Sequence, residues 1–178
     1  FVGFQDKLIS EISEAKSTHH TFLITSEHLH SRLIQSKDIK RLHSFLLSIS
    51  NNVNIVCYFR EQFDLATSRY STSLKREGLD DLEAFVNEAS PENYYYNHLK
   101  IADNWVEVFG KENCLFRIYD RNRFFDRDIR KDFMSLISSE VDFRKFNMDT
   151  HLGNESLFAL QGAAYRAVNR ILPFWKPD

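Results

Sequence analysis

Residues 53–78 read VNIVCYFREQFDLATSRYSTSLKREG, and this stretch decides how the rest of the chain is read. Val53, Ile55, Val56, Cys57, Tyr58 and Phe59 form a short β-branched and aromatic run of the kind buried in a parallel sheet. Arg60 ends it. Ligands of open α/β sheets bind beyond the carboxyl ends of the strands, so a guanidinium there is expected at the usual site rather than in the core. A polar helix is expected to follow, with Phe63, Ala66, Tyr70 and Leu74 on its buried face and Gly78 closing it. Ser68 falls in its second turn, eight residues after Arg60, where a loop that turns back lets the hydroxyl share an anion such as a phosphate with Arg60. The competing reading pairs Arg60 with Glu61, Asp64 or Glu77 and leaves Ser68 on a helix surface. Arg69, Lys75 and Arg76 either add positive field near this helix or are simply solvated.

Working outward, Leu8, Ile12 and Ala15 form the stripe of a first helix, and TFLIT at 21–25 reads as a strand. Ser36 is placed to cap a second helix whose apolar positions are Ile39, Leu42, Leu46 and Ile49, and Asn51 and Asn52 turn the chain into the Val53 strand. Leu82 to Phe85 reads as a short helical turn. Pro91 is expected to open a long helix with Tyr95, Leu99, Ala102, Val106 and Phe109 as its stripe and Gly110 as its C-cap. Cys114 to Tyr119 is the third expected strand. Two helices follow, one around Ile129, Phe133 and Ile137 and one from about Ser156 to Leu172, with Asn154 as its cap. Strands separated by helices imply right-handed parallel crossovers, hence an α/β three-layer sandwich around a parallel sheet, in one domain over 1–178.

An arginine at a strand end and a serine eight residues on, followed closely by Tyr70, resembles the 3′-phosphate-binding segment of the sulfotransferase family. FLITSEHL (22–29), YYYNHLKIADNWVEVFGKENCLFRIYDR (94–121) and HLGNESLFAL (151–160) each resemble the matching segment of bacterial carbohydrate sulfotransferase-like proteins. The resemblance implies a P-loop NTPase-like sulfotransferase fold. It also implies transfer of a sulfuryl group from 3′-phosphoadenosine 5′-phosphosulfate to a hydroxyl of a carbohydrate or similar acceptor, without a metal. Arg60, Ser68 and Tyr70 would hold the 3′-phosphate. Glu27, directly after TFLIT, stands where the resemblance places the general base, with His28 and His30 as alternatives because imidazole already titrates near neutrality. A capping or surface-paired Glu27 is the competing reading. A metal role for His28 and His30 lacks a third ligand. The segment His151 to Ser156 matches a polar loop in which His151, Asn154 or Ser156 contacts acceptor or nucleotide, although Asn154 serves equally as a helix cap.

The family's 5′-phosphosulfate loop, a glycine- and hydroxyl-rich turn carrying a lysine after the first strand, has no counterpart. None of the five glycines, Gly3, Gly78, Gly110, Gly153 and Gly162, sits in such a turn. FVGFQDKLISEISEAK (1–16) reads as the middle of a domain, so the expectation is a sequence that is truncated at its N-terminus, beginning after that first strand and loop.

At 178 residues, 43% hydrophobic and 14% aromatic, the chain can bury one core. A net charge of −2 argues against a general nucleic-acid binder, so any anion site must be local. Cys57 and Cys114 lie in strand-like runs without metal-ligand spacing and read as reduced core thiols, which points to a cytoplasmic setting. No apolar run approaches the ~20 residues of a membrane span. Arg117, Arg121, Arg123 and Arg127, interrupted by Asp120 and Asp126, read as paired surface charges, with an acidic sugar as the other reading. Of Tyr94, Tyr95 and Tyr96, one neighbour of Tyr95 is expected to be exposed and able to stack on a sugar ring. Two other classes of function stay open: a non-catalytic nucleotide- or glycan-binding module, and an assembly domain completed by a partner chain or a second copy.

Overall fold

The computed structural model describes residues 2–138, 141–148, 156–157 and 159–172. The chain is mixed α/β and mostly helical. Its described strands, β1 (Ile55–Phe59) and β2 (Cys114–Ile118), pair in a two-stranded parallel sheet. The helices are α1 (Val2–Ala15), α2 (Leu29–Arg32), α3 (Ser36–Ile49), α4 (Gln62–Lys75), α5 (Leu82–Asn87), α6 (His98–Phe109), α7 (Ile129–Ile137) and α8 (Ala159–Ile171). They fall into two compact units, Phe1–Cys57 with Asn97–Phe116, and Tyr58–Tyr96 with Arg117–Asp178. The chain passes from one to the other inside β1 and again inside β2.

In the first unit α3 packs against α6 along its expected stripe, but α6 turns a different face inward than expected: Leu99 is 72% exposed, and Ile101 and Trp105 are buried with Phe109 instead. Ile39, Ile49, Ile101, Trp105 and Phe109 are buried, Trp105 stacks on Phe109, and His43 lies against the same ring. Full burial of Ile39 or Ile101 contributes about 2–3 kcal/mol each before entropy is counted. Asn104 is buried among them because its Nδ2 donates to the Ile34 carbonyl. Ile12 of α1 is buried, as its stripe predicts.

Three expectations are corrected here. TFLIT is not a strand: residues 21–25 are irregular and exposed, with Phe22, Leu23 and Ile24 each at least 37% accessible. Strand propensity mostly reports packing on a pleated, half-buried surface, and among the described residues no strand pairs with this segment. The helix expected from Pro91 begins only at His98, with Asn97 as its N-cap accepting from the Lys100 N–H. Asn93 stops an earlier start, since its Oδ1 accepts from the Tyr95 N–H and its Nδ2 donates to the Glu88 carbonyl, which holds turns instead. Gln35, not Ser36, is the N-cap of α3, and the Ser36 hydroxyl donates to Glu107. Gly110 does end α6, at a φ of 84° that favours glycine.

The second unit is built on α4, α5 and α8. Ala66, Phe85 and Tyr96 form a buried cluster that Tyr70 and Tyr95 pack against. Phe63, expected on the buried face, is 55% exposed. Glu61 caps α4 through the Asp64 N–H. At the other end the Glu77 N–H bonds the Leu74 carbonyl and the Gly78 N–H bonds the Ser73 carbonyl, with Glu77 in the left-handed region at φ 68°. This is a Schellman closure one residue earlier than the glycine suggested. Gly78 is still required, because a Cβ there would lie 2.9 Å from the Ser73 carbonyl oxygen. Asn169 of α8 completes the end, donating to the carbonyls of both Leu74 and Gly78.

Candidate functional site

The pairing of β1 with β2 continues past the end of β2, where the Tyr119 N–H donates to the Phe59 carbonyl at 2.7 Å. That register places Arg60 and Tyr119 together at the carboxyl end of the sheet, the Arg60 Cζ 5.7 Å from the centre of the Tyr119 ring. Arg60 is half-buried, and its Nε is a buried donor with no hydrogen-bond partner among the described residues. None of Glu61, Asp64 and Glu77 forms the ion pair with Arg60 that the competing reading required; Glu61 is turned to its own helix cap. A buried unpaired N–H costs about 1–3 kcal/mol, so folded proteins seldom leave one without a reason.

Behind Arg60 stands an aromatic wall. Tyr119 and Tyr58 each meet Phe124 edge to face, with ring centres 5.3 Å and 5.8 Å apart. Beneath the wall Asp132, 1% exposed, accepts from the Tyr58 hydroxyl, an Arg117 Nη and the Phe125 N–H at 2.7, 2.9 and 2.8 Å. Burial alone would raise the Asp132 pKa, but these donors outweigh it and the carboxyl is held below its usual range. Burial, then the bond to Asp132, pushes the Tyr58 phenol well up. Sequence reasoning missed this cluster. Its signal was a carboxylate on the apolar face of α7, between Ile129 and Phe133.

Ser68 is half-buried on α4, and the structure records no hydrogen bond between it and Arg60. The Tyr70 ring serves packing: it lies against Phe85 and faces Gly162 of α8, where a Cβ would approach it to 3.3 Å. Arg69 adds no free field, since its Nη1 donates to Glu88 at 2.6 Å and to the Tyr96 hydroxyl at 2.9 Å. Its guanidinium also lies within 6 Å of the Phe85, Tyr95 and Tyr96 ring centres. Arg117 and Arg123 are paired, with Asp132 and Asp120.

Glu27 and His28 belong to the first unit. They are exposed, 3.7 Å apart, in the surface pairing that the sequence offered as the alternative to a base. His30 is half-buried, its Nδ1 donates to the Glu27 carbonyl, and burial lowers its pKa. His151 and Asn154 lie outside the described residues; Ser156 is exposed, beside Leu157, whose N–H donates to Ser71. Cys57 and Cys114 are free and half-buried, and burial pushes the Cys57 thiol up to about 11. Among the described residues no group of three or more His, Cys, Asp or Glu is placed to hold a metal. No described helix is long and apolar enough to cross a membrane.

No protein-family model matches the chain, and no solved structure matches it. A protein of Archaeoglobus fulgidus carrying the description "Uncharacterized protein" is 26% identical to it over 119 residues, 66% of this chain and 31% of that protein. The chain thus spans about a third of the length of the relative it matches.

Proposed function

We propose that the carboxyl end of β1 binds a phosphate monoester, with Arg60 as the charged ligand and Ser68 as a hydroxyl donor. We further propose that the chain is part of a sulfotransferase-like protein in which this phosphate is the 3′-phosphate of 3′-phosphoadenosine 5′-phosphosulfate. The observation that carries the reading is the Arg60 guanidinium, held half-buried at a parallel strand end, with a buried Nε that has no partner among the described residues. An anion there satisfies the donors that the protein leaves unused. In the complete protein the two strands would belong to a larger parallel sheet in a three-layer, P-loop-like sandwich. The acceptor hydroxyl of a carbohydrate would attack sulfur in line, the bond from sulfur to the phosphate oxygen would break, and the hydroxyl proton would pass to a general base.

Calorimetric titration with adenosine 3′,5′-bisphosphate tests the reading. Binding by the wild type that disappears in a folded Arg60→Ala variant supports it, and a well-folded wild type that binds nothing overturns it. A second reading, an assembly domain whose sheet a partner chain extends, is favoured by the sheet itself, since two strands alone are marginal in water. Dimerisation that persists on dilution, without nucleotide affinity, would select it.

A further inference from the structure

We infer that Asp132 is a positioning residue for the Arg60 site, an inference that rests on the phosphate-binding reading. Asp132 touches no ligand position itself. Its two oxygens take three donors from three segments: Tyr58 on β1, Arg117 on β2 and the Phe125 N–H in the turn before α7. Two of these bonds fix parts of the wall on which Arg60 rests, and the third ties Asp132 to Arg117 at the end of β2. Tyr58 is in β1, two residues before Arg60, which directly follows the last residue of the strand. The Phe125 bond holds the turn that presents Phe124, and Phe124 is the ring that both Tyr58 and Tyr119 meet edge to face. Tyr119 in turn carries the guanidinium. The path from Asp132 to Arg60 is therefore continuous through packed rings, and it lies wholly within the second unit.

The turn needs such an anchor, because Asp126 and Arg127 both hold left-handed backbone, at φ 55° and 56°. Two adjacent residues with side chains in that region are strained, and they persist only where the surroundings over-determine them. A buried carboxylate that has lost its charge can no longer do this as well. In Asp132→Asn the amide presents one acceptor and one donor to a pocket lined by three donors, so at least one of them is left unpaired.

The test compares wild type, Asp132→Asn and, as a control, Asn169→Ala, which removes the α8 bonds to α4 in the same unit. Solvent exchange of the Arg60 Nε–H, assigned by NMR through its loss in Arg60→Lys, reads the position of the guanidinium without any ligand. We expect exchange about tenfold faster in Asp132→Asn, the scale of one lost hydrogen bond, and unchanged in Asn169→Ala even though both variants melt earlier. Affinity for adenosine 3′,5′-bisphosphate should fall about tenfold in Asp132→Asn alone. Unchanged exchange in a destabilised Asp132→Asn overturns the inference and leaves Asp132 a purely structural residue. Should the wild type bind no nucleotide, the phosphate reading fails, and exchange still decides what Asp132 positions. Tyr58→Phe removes one of the three donors and provides the same comparison if Asp132→Asn does not fold.

Discussion

Arg60 and Arg69 stand on the same short stretch of chain, both half-buried and both against aromatic rings, yet they are used in opposite ways. Arg69 spends its donors inside the protein, on Glu88 and Tyr96, with three rings around it. Burial alone would lower its pKa, and the bonds to Tyr96 and Glu88 more than offset this, so the charge is fixed in place. Arg60 has a ring beneath it and a buried Nε without a partner. Residue type and exposure do not separate these two arginines; the disposal of their donors does, and it is this difference that supports the proposal of Arg60 as a ligand.

The largest effect on stability should come from Arg69→Ala, which leaves the buried Tyr96 hydroxyl without its donor and dismantles the cage: about 3 kcal/mol by urea unfolding. A loss near zero would break the contrast. Gly78→Ala should cost about 2 kcal/mol, because the new Cβ meets the Ser73 hydroxyl and its carbonyl oxygen. Ser73→Ala in the same chain should recover only part of it, since the backbone clash stays. Acid should act next. The hydrogen bonds from Arg130 hold the Asp128 carboxyl at about 2, below its unfolded value, so its stabilisation is complete above about pH 4 and is lost as pH falls toward 2. Screening keeps this near 1 kcal/mol, and Asp128→Asn should flatten that part of a pH–melting curve. The smallest effect belongs to Arg60→Met, within about 0.5 kcal/mol, because the lost ring contact is offset by removal of an unpaired buried donor. Arg60→Met should nonetheless abolish binding of adenosine 3′,5′-bisphosphate. A large destabilisation without change in binding would make Arg60 a second Arg69.

What could be read without coordinates was local. The stripes of α1 and α3, the existence of α7, the strand before Arg60 and the Gly110 stop follow from periodicity and capping, which depend on neighbours within a few residues. TFLIT failed because a strand depends on another strand. The start of α6 failed because Asn93 and Asn97 offer the backbone competing side-chain partners that Pro91 does not reveal. Arg60 was legible as a strand-end cation, and its lack of a carboxylate partner was one of two readings left open. Asp132 was not legible, since its three partners lie 7, 15 and 74 residues away.

Asn169 gives the second unit an order of assembly. The last turn of α4 and the residues that follow it are made well before α8, and the side chain that takes up the Leu74 and Gly78 carbonyls lies 95 and 91 residues further on. Until Asn169 leaves the ribosome, the end of α4 has only its local closure, the bonds from the Glu77 and Gly78 N–H groups. A nascent chain stalled before Asn169 should therefore carry an α4 whose C-terminal end is held less firmly, and ribosome pausing in the codons for α8 would lengthen the life of that intermediate.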